Sequence, residues 1–362
     1  MPPGSDLENM PAVTGVLTPR QCRQTADSIA SLQHSSGEIP WSDGGHTDPW
    51  DHIECAMALS AAGLIDEARA AFDWSRTQQR ADGSWPMQFR RGVVEDAASD
   101  TNFCAYIATG VWHHVLVTGD RRFAEHMWRT VRDAVDFVLG LQAGTGEIHW
   151  ATTDSGTVPE ALLTGCSSIY HSLRCALALA DFLGDPQPEW EVSVGRLGHA
   201  IIAHPGAFTP KPRHSMDWYY PVLSGAVRGC DAAARIEARW DEFVVTGLGI
   251  RCVDDHPWVT GAETCELVMA LDVIGNRRAA IEQFTAMQHL RENDGSYWTG
   301  LVFTDGKRWP VERTPWTGAA VILAADALSG ATSGGGIFRG THLPLGLEGE
   351  YDCECVTSVL SH

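Results

Sequence analysis

Several things are missing from this chain of 362 residues, and each absence removes a class of function. Positive charge is scarce: 26 Lys and Arg against 46 Asp and Glu give a formal net charge of −20. Phosphate backbones and anionic membrane surfaces require a basic footprint, so neither nucleic acid nor such a membrane is an expected partner. No run of about 20 apolar residues that could cross a bilayer is present. The opening MPPGSDLENM lacks a basic stretch followed by an apolar core, so a secretory leader is not expected and a cytoplasmic protein is. Gly-rich phosphate loops, dinucleotide fingerprints and nucleophile elbows are absent, and no organic cofactor is expected.

Ten cysteines are present, but they are scattered, and Cys55, Cys104, Cys175 and Cys265 fall inside helical patterns. Such residues read as small packing groups rather than a disulfide framework. Cys353 and Cys355, with Asp352 and His362, imitate a zinc site without four ligands at a standard spacing. His113 and His114 are adjacent and face different sides of a helix. No metal is expected.

What the chain does have is a repeat. The stretch 253–275, VDDHPWVTGAETCELVMALDVIG, runs from a polar, aromatic loop through a helix-start signal at Thr260 and Glu263 into an apolar helix ending at Gly275. The same grammar recurs behind Asp48, Ser99, Thr164, Ser215 and Thr314, and most of these segments end at a glycine suited to a helix C-terminus: Gly63, Gly119, Gly184, Gly275 and Gly330. Between them lie six more amphipathic and charged helical segments, 19–33, 66–79, 122–142, 189–203, 231–245 and 277–291. Twelve helices alternating in this way predict an all-α fold, an (α/α)6 toroid with six apolar inner helices and six amphipathic outer ones. The toroid is expected over residues 18–330, with an N-terminal tail at 1–17 and a Gly-rich segment and acidic tail at 331–362.

The links from outer to inner helices share a second signature. Gln33, Gln79, Gln142 and Arg291 are each followed four residues later by a glycine, Gly37, Gly83, Gly146 and Gly295, and then by an aromatic or aliphatic residue. A long polar side chain ends the helix, the glycine turns the chain, and the apolar residue folds back on the hairpin.

This Gln-x-x-x-Gly-x-aromatic pattern, clearest in QRADGSW and echoed in LRENDGSYW, resembles the repeat of terpenoid cyclases and protein prenyltransferases. Together with WDHIECAMAL, TGCSSIYHSLRCALALA and WVTGAETCELV, it is similar to actinobacterial proteins named prenyltransferase-like. The resemblance implies an α/α toroid. It would also imply isoprenoid chemistry, yet the Asp-x-Asp-Asp and Asp-Asp-x-x-Asp motifs of such enzymes are missing, and few Arg or Lys stand where a diphosphate would sit.

In a toroid the loops leading into the inner helices gather at one end of the ring. Aligning the six helix starts collects Trp50, Asp51, His52 and Glu54; Asp100, Asn102 and Tyr106; His171; Asp217, Trp218 and Tyr219; Trp258, Glu263 and Glu266; and Arg313 with Trp316. Sugar rings stack their apolar faces on Trp and Tyr and bind their hydroxyls to Asp, Glu, His and Arg. Facing carboxylates held at different pKa values can serve as general acid and general base. Glu266 or Glu263 is therefore expected to act against Asp100 or Asp51, with Trp50, His52, Glu54, Asn102, Tyr106, His171, Asp217, Trp218, Tyr219, Trp258, Arg313 and Trp316 binding substrate. Asp51, Glu263 and Asp100 also have plain readings as helix-capping or dipole residues. Glu266, in the second turn of an apolar helix, has none so simple.

The expected function is a carbohydrate- or glycoconjugate-processing enzyme, with hydrolysis favoured over lyase or epimerase chemistry and a resemblance in fold to six-hairpin glycosidases. An isoprenoid enzyme acting on prenyl diphosphate and a non-catalytic binding toroid are the alternatives.

Overall fold

The computed structural model describes residues 9–347. Thirteen α-helices occur among them: α1 (Pro19–Ala30), α2 (Pro49–Ala61), α3 (Ile65–Gln78), α4 (Thr101–Thr118), α5 (Arg121–Leu139), α6 (Leu163–Leu183), α7 (Pro188–Ala203), α8 (Ser215–Leu223), α9 (Gly229–Ala238), α10 (Trp240–Phe243), α11 (Gly261–Val273), α12 (Arg277–Ala286) and α13 (Pro315–Ser329). Helix α2 packs on α4, α4 on α6, α6 on α8, α8 on α11, α11 on α13, and α13 returns to α2. These six close an inner ring. The other long helices lie outside it: α1 on α13, α3 on α2, α5 on α4, α7 on α6, α9 on α8 and α12 on α11.

Sequence explains the two layers. In α13 every residue from Pro315 to Leu328 is buried, as an apolar helix enclosed on all sides requires. In α5 the buried set Phe123, Ala124, Met127, Val131, Ala134, Val135 and Val138 forms one stripe, and the opposite face carries Arg and Glu to solvent. No helix among the described residues is long and apolar enough to cross a membrane.

The Gln-x-x-x-Gly signature is a bolt between neighbouring outer helices. Gln33 Nε2 donates to Gly37 O at 3.0 Å and Glu67 O at 2.9 Å; Gln79 to Gly83 O and Thr130 O; Gln142 to Gly146 O and Ser193 O. Gly83 has φ +90°, and a Cβ there would stand 2.0 Å from Asp133 O on α5. Only glycine meets both demands. Arg291 substitutes for glutamine in its sector and reaches Gln24 Oε1 at 3.0 Å.

Local details depart from the sequence reading. Short antiparallel strands appear at the ends of the inner helices where the chain enters them: the hairpin β1 (Gln88–Arg90) and β2 (Val93–Asp96); β3 (Ser99–Asp100) with β4 (Ala151–Thr153) and β5 (Gly156–Val158); and β6 (Val244–Val245), β7 (Gly249–Arg251), β8 (Trp258–Thr260), β9 (Gly300–Val302) and β10 (Lys307–Arg308), in spatial order β10-β9-β8-β7-β6. Strand β3 leads directly into α4 and β8 into α11. Asp100 rather than Ser99 caps α4, accepting from Phe103 N at 3.1 Å. Thr260 makes no capping hydrogen bond, so the expected box with Glu263 does not form. Residues 231–245, expected as one helix, break into α9, α10 and β6.

The Gly-rich segment after α13 is packed rather than loose. Ile337, Phe338 and Leu343 are buried, and Arg174, on α6 and fully buried, donates to Pro344 O, Gly340 O and Leu343 O. Arg228 Nη1 reaches Arg339 O, and Arg339 pairs with Asp272 at the C-terminal end of α11. Residues 331–347 thus close the end of the ring opposite the strands. Cys353, Cys355, Asp352, His362 and the acidic residues from Glu348 onward lie outside the described residues.

Candidate active site

The inner helices begin in register, and this positions the site. Glu54, Tyr106, Ser168, Tyr220 and Glu266 each stand five residues after the first residue of their helix, namely Pro49, Thr101, Leu163, Ser215 and Gly261. All five are buried. Equal offsets on equivalent helices bring side chains to one level of the ring.

At that level side chains from five of the six helices meet. Glu266 accepts from two phenols: Tyr219 Oη donates to Oε2, and Tyr220 Oη to Oε1 at 2.8 Å. Glu54 Oε2 accepts from Trp316 Nε1 at 3.0 Å. Trp50 packs on Tyr106 at 5.7 Å and on Tyr220 at 5.8 Å, joining α2 to the helix across the ring. Trp316 in turn lies 5.6 Å from Trp41, whose Nε1 donates to Glu312 Oε1 at 2.7 Å. Ser168 Oγ is buried without a hydrogen-bond partner.

Electrostatics set this cluster apart. Asp48, Asp51 and Glu54 follow one another at intervals of three along one face of α2. Burial pushes the Glu54 carboxyl up to about 8, with Asp48 adding to it. Asp51 is held well above the usual carboxylate range by burial and then by Asp48, Glu54 and Glu266. Burial, Glu54 and Glu263 raise Glu266 likewise, while its two tyrosines pull the other way by hydrogen-bonding the anion. Three carboxyls at close quarters in a desolvated space cannot all ionise near neutral pH. Such a cluster can hold a proton on one member while another remains an anion, which is what acid and base partners need.

Of the sequence candidates, the structure brings together Trp50, Asp51, Glu54, Tyr106, Tyr219, Glu266 and Trp316. Glu263 is buried one turn before Glu266. Asp100 and Asn102 lie at the start of α4 beside Trp50, lining a small side cavity; burial pushes Asp100 up to about 7.

Others sit elsewhere. His52 accepts from Ile39 N at 3.1 Å and donates to Ala71 O at 2.9 Å, which fixes it between α2 and α3; burial lowers its pKa to about 4. His171, one turn beyond Ser168 on α6, stacks on Phe338 of the plug at 4.9 Å. Trp218 donates to Arg235 O and stacks on Phe243, so its indole packs the outer layer. Asp217 accepts from Thr164 Oγ1 at 2.7 Å and lines an outer cleft with Arg235 and Lys211. Trp258 is held on the rim by Trp309 O, and Arg313 pairs with Asp294 over the Trp298 ring in a cleft beside the mouth. Consecutive residues on a helix diverge by about 100°, so a cap alignment gathers the right neighbourhood and overcollects within it.

Sequence reasoning read Asp48 as a cap alone, expected one or two of Trp218, Tyr219 and Tyr220 inside the ring without singling out Tyr220, and passed over Ser168. The offset of five from each helix start would have found the last two. Among the described residues no group of three or more His, Cys, Asp or Glu is arranged to hold a metal.

No protein-family model matches the chain. It is 71% identical over 353 residues, 98% of either chain, to the MMP endo-(1,4)-3-O-methyl-α-D-mannosidase of Mycolicibacterium hassiacum. Among solved structures, a glycosidase variant in complex with glucose matches with a TM-score of 0.67 at 17% identity, over 86% of this chain and 97% of that one. A D-mannose isomerase matches with a TM-score of 0.64 at 8% identity, over 84% and 96%. Identities this low speak to fold, and a glycosidase-like helical toroid fits both.

Proposed function

The chain belongs to the family of the MMP endo-(1,4)-3-O-methyl-α-D-mannosidase and is a carbohydrate hydrolase; from this premise we propose that it cleaves internal α-1,4 linkages of a 3-O-methylated mannan by acid–base catalysis between Asp51 and Glu266. The observation that carries the assignment is the contrast in what surrounds the two carboxyls. Glu266 accepts hydrogen bonds on both oxygens, which favours the anion, whereas every strong influence on Asp51 raises its pKa. Asp51 is then the acid that protonates the departing sugar oxygen, and Glu266 the base that takes a proton from the attacking water. Trp50, Tyr106, Tyr220 and Trp316 supply faces for sugar rings. Glu54 restrains the ionisation of both.

The closed double layer reads as an (α/α)6 toroid over residues 18–330. A cytoplasmic location forms part of the same reading, supported by cysteines held singly in the core at Cys55, Cys104, Cys175 and Cys265.

The test incubates the protein with 3-O-methylated α-1,4-mannooligosaccharides and, separately, with prenyl diphosphates, following products by mass spectrometry. Shorter oligosaccharides from the wild type, lost in Asp51→Asn and Glu266→Gln, are expected. Turnover of a prenyl diphosphate with no cleavage of the mannan would instead restore the isoprenoid reading. Binding without turnover of either would leave a ligand-binding toroid.

A further inference from the structure

Beside the carboxylates lies a cavity that nothing in the acid–base chemistry requires. It opens between the starts of α4 and α6, has a volume of about 100 Å³, and is walled by Trp50, Phe103, Ile148, Leu162, Gly165 and Ile169. Trp50 belongs to both spaces: it lines this cavity and packs on Tyr106 and Tyr220 next to Glu54 and Glu266.

Size limits the occupant. An apolar cavity of about 150 Å³ accepts benzene, with six heavy atoms. The present one is smaller, so it excludes a hexose and admits a group of two or three heavy atoms. Polarity limits it further, because the polar side chains in the wall are already engaged. Thr101 donates to His149 O at 2.9 Å, Thr164 donates to Asp217 at 2.7 Å, Cys166 donates to Ile148 O at 3.3 Å, and Asp100 caps α4. Asn102 Oδ1 and Trp50 Nε1 are the exceptions, both buried without a partner. The cavity offers a small apolar surface, one free acceptor on Asn102 and one free donor on Trp50. That suits an ether methyl beside a hydroxyl, the hydroxyl donating to Asn102.

We propose that this side cavity seats the 3-O-methyl group of a substrate mannose, and that it makes the enzyme selective for methylated over unmethylated chains. The inference rests on the reading of the protein as a hydrolase of 3-O-methylated mannan and names the part of the site that reads the methyl group. Unmethylated sugar leaves the cavity unfilled and forgoes the burial of that methyl, a difference worth about tenfold or more in kcat/KM.

Two substitutions test it from opposite sides. A Cβ at Gly165 meets its nearest neighbours, Asn102 Cβ and Leu162 Cβ, at 3.8 Å, so the helix accepts a side chain there, and Gly165→Leu is designed to fill the cavity that Gly165 lines. Leu162→Ala enlarges it. The measurement is kcat/KM on 3-O-methylated, unmethylated and 3-O-ethylated α-1,4-mannooligosaccharides of equal length, with melting curves to verify folding. The wild type is expected to prefer the methylated chain at least about tenfold, Gly165→Leu to abolish that ratio, and Leu162→Ala to gain the ethyl ether. Equal rates on methylated and unmethylated chains by the wild type overturn the proposal while leaving the hydrolase reading intact, as does an unchanged ratio in Gly165→Leu. Cleavage of none of them overturns both. Should Gly165→Leu fail to fold, Leu162→Ala decides: no gain on the ethyl ether sinks the methyl pocket.

Discussion

At the plugged end of the ring, Arg174 is fully buried, yet its Nε and Nη2 donate to three carbonyls of the chain that closes over it, and Asp326 accepts from Thr332 N at 2.8 Å and from its hydroxyl. At the mouth, Glu54 and Glu266 are buried with Asp51 half-buried beside them, and the strongest charges acting on the three are carboxylates. Both ends place ionisable groups out of water on the same six helices. One end gives Arg174 and Asp326 hydrogen-bond partners on the segment that closes over them and gains a closed ring. The other assembles like charges, which opposes folding and perturbs the pKa values that catalysis uses. Burial alone therefore does not mark a functional residue; carboxyls gathered against one another without a cation between them do.

Five substitutions would break or sharpen this contrast. Glu266→Gln should lower kcat/KM about 10³-fold, with Asp51→Asn comparable, since each removes a proton-transfer partner; steady-state rates on a methylated mannooligosaccharide measure it. Rates within a factor of ten of wild type would remove the mouth from the chemistry. Arg174→Met should cost about 3 kcal/mol of stability, the loss of hydrogen bonds from a charged donor that leaves carbonyls unpaired, as read by denaturant unfolding. A neutral result would show that the plug is not held by this residue. Gly83→Ala should cost about 2 kcal/mol through its positive φ and its approach to Asp133 O; a melting temperature equal to wild type would contradict the bolt.

The last effect has a size that depends on pH. Because the folded Glu54 carboxyl sits at about 8 against an ordinary value of 4.5, its contribution to stability is fully present below about 4.5 and is lost as pH rises through about 8. Glu54→Gln should therefore melt higher than wild type at pH 8, with the gap closing toward pH 5. A gap independent of pH would mean that the cavity does not carry this strain.

Much of the fold is legible without coordinates. The alternation of apolar and amphipathic segments, the terminal glycines and the Gln-x-x-x-Gly turns all record contacts made within a few residues or along one helix face, and the structure uses them in that way. The site is legible in outline. Glu266 stood out because a carboxylate in an apolar helix needs a reason, and Tyr219 and Tyr220 on α8 supply its partners. Trp218, next in the chain to Tyr219, turns outward, and nothing in the letters WYY says which ring points where. The strands at the mouth were invisible because each spans only two to four residues, too few for an alternating pattern to register.

By itself, then, the sequence determined the helices, their two layers and the turns that bolt them, because these depend on periodicity and short-range backbone chemistry. Ring closure alone decided that Glu54 and Glu266, more than two hundred residues apart, press on each other, that Trp50 touches Tyr220 across the lumen, and that a glycine-rich segment seals the far end over Arg174. Like charges repel, and desolvation raises a pKa, only at distances that the assembled tertiary structure creates.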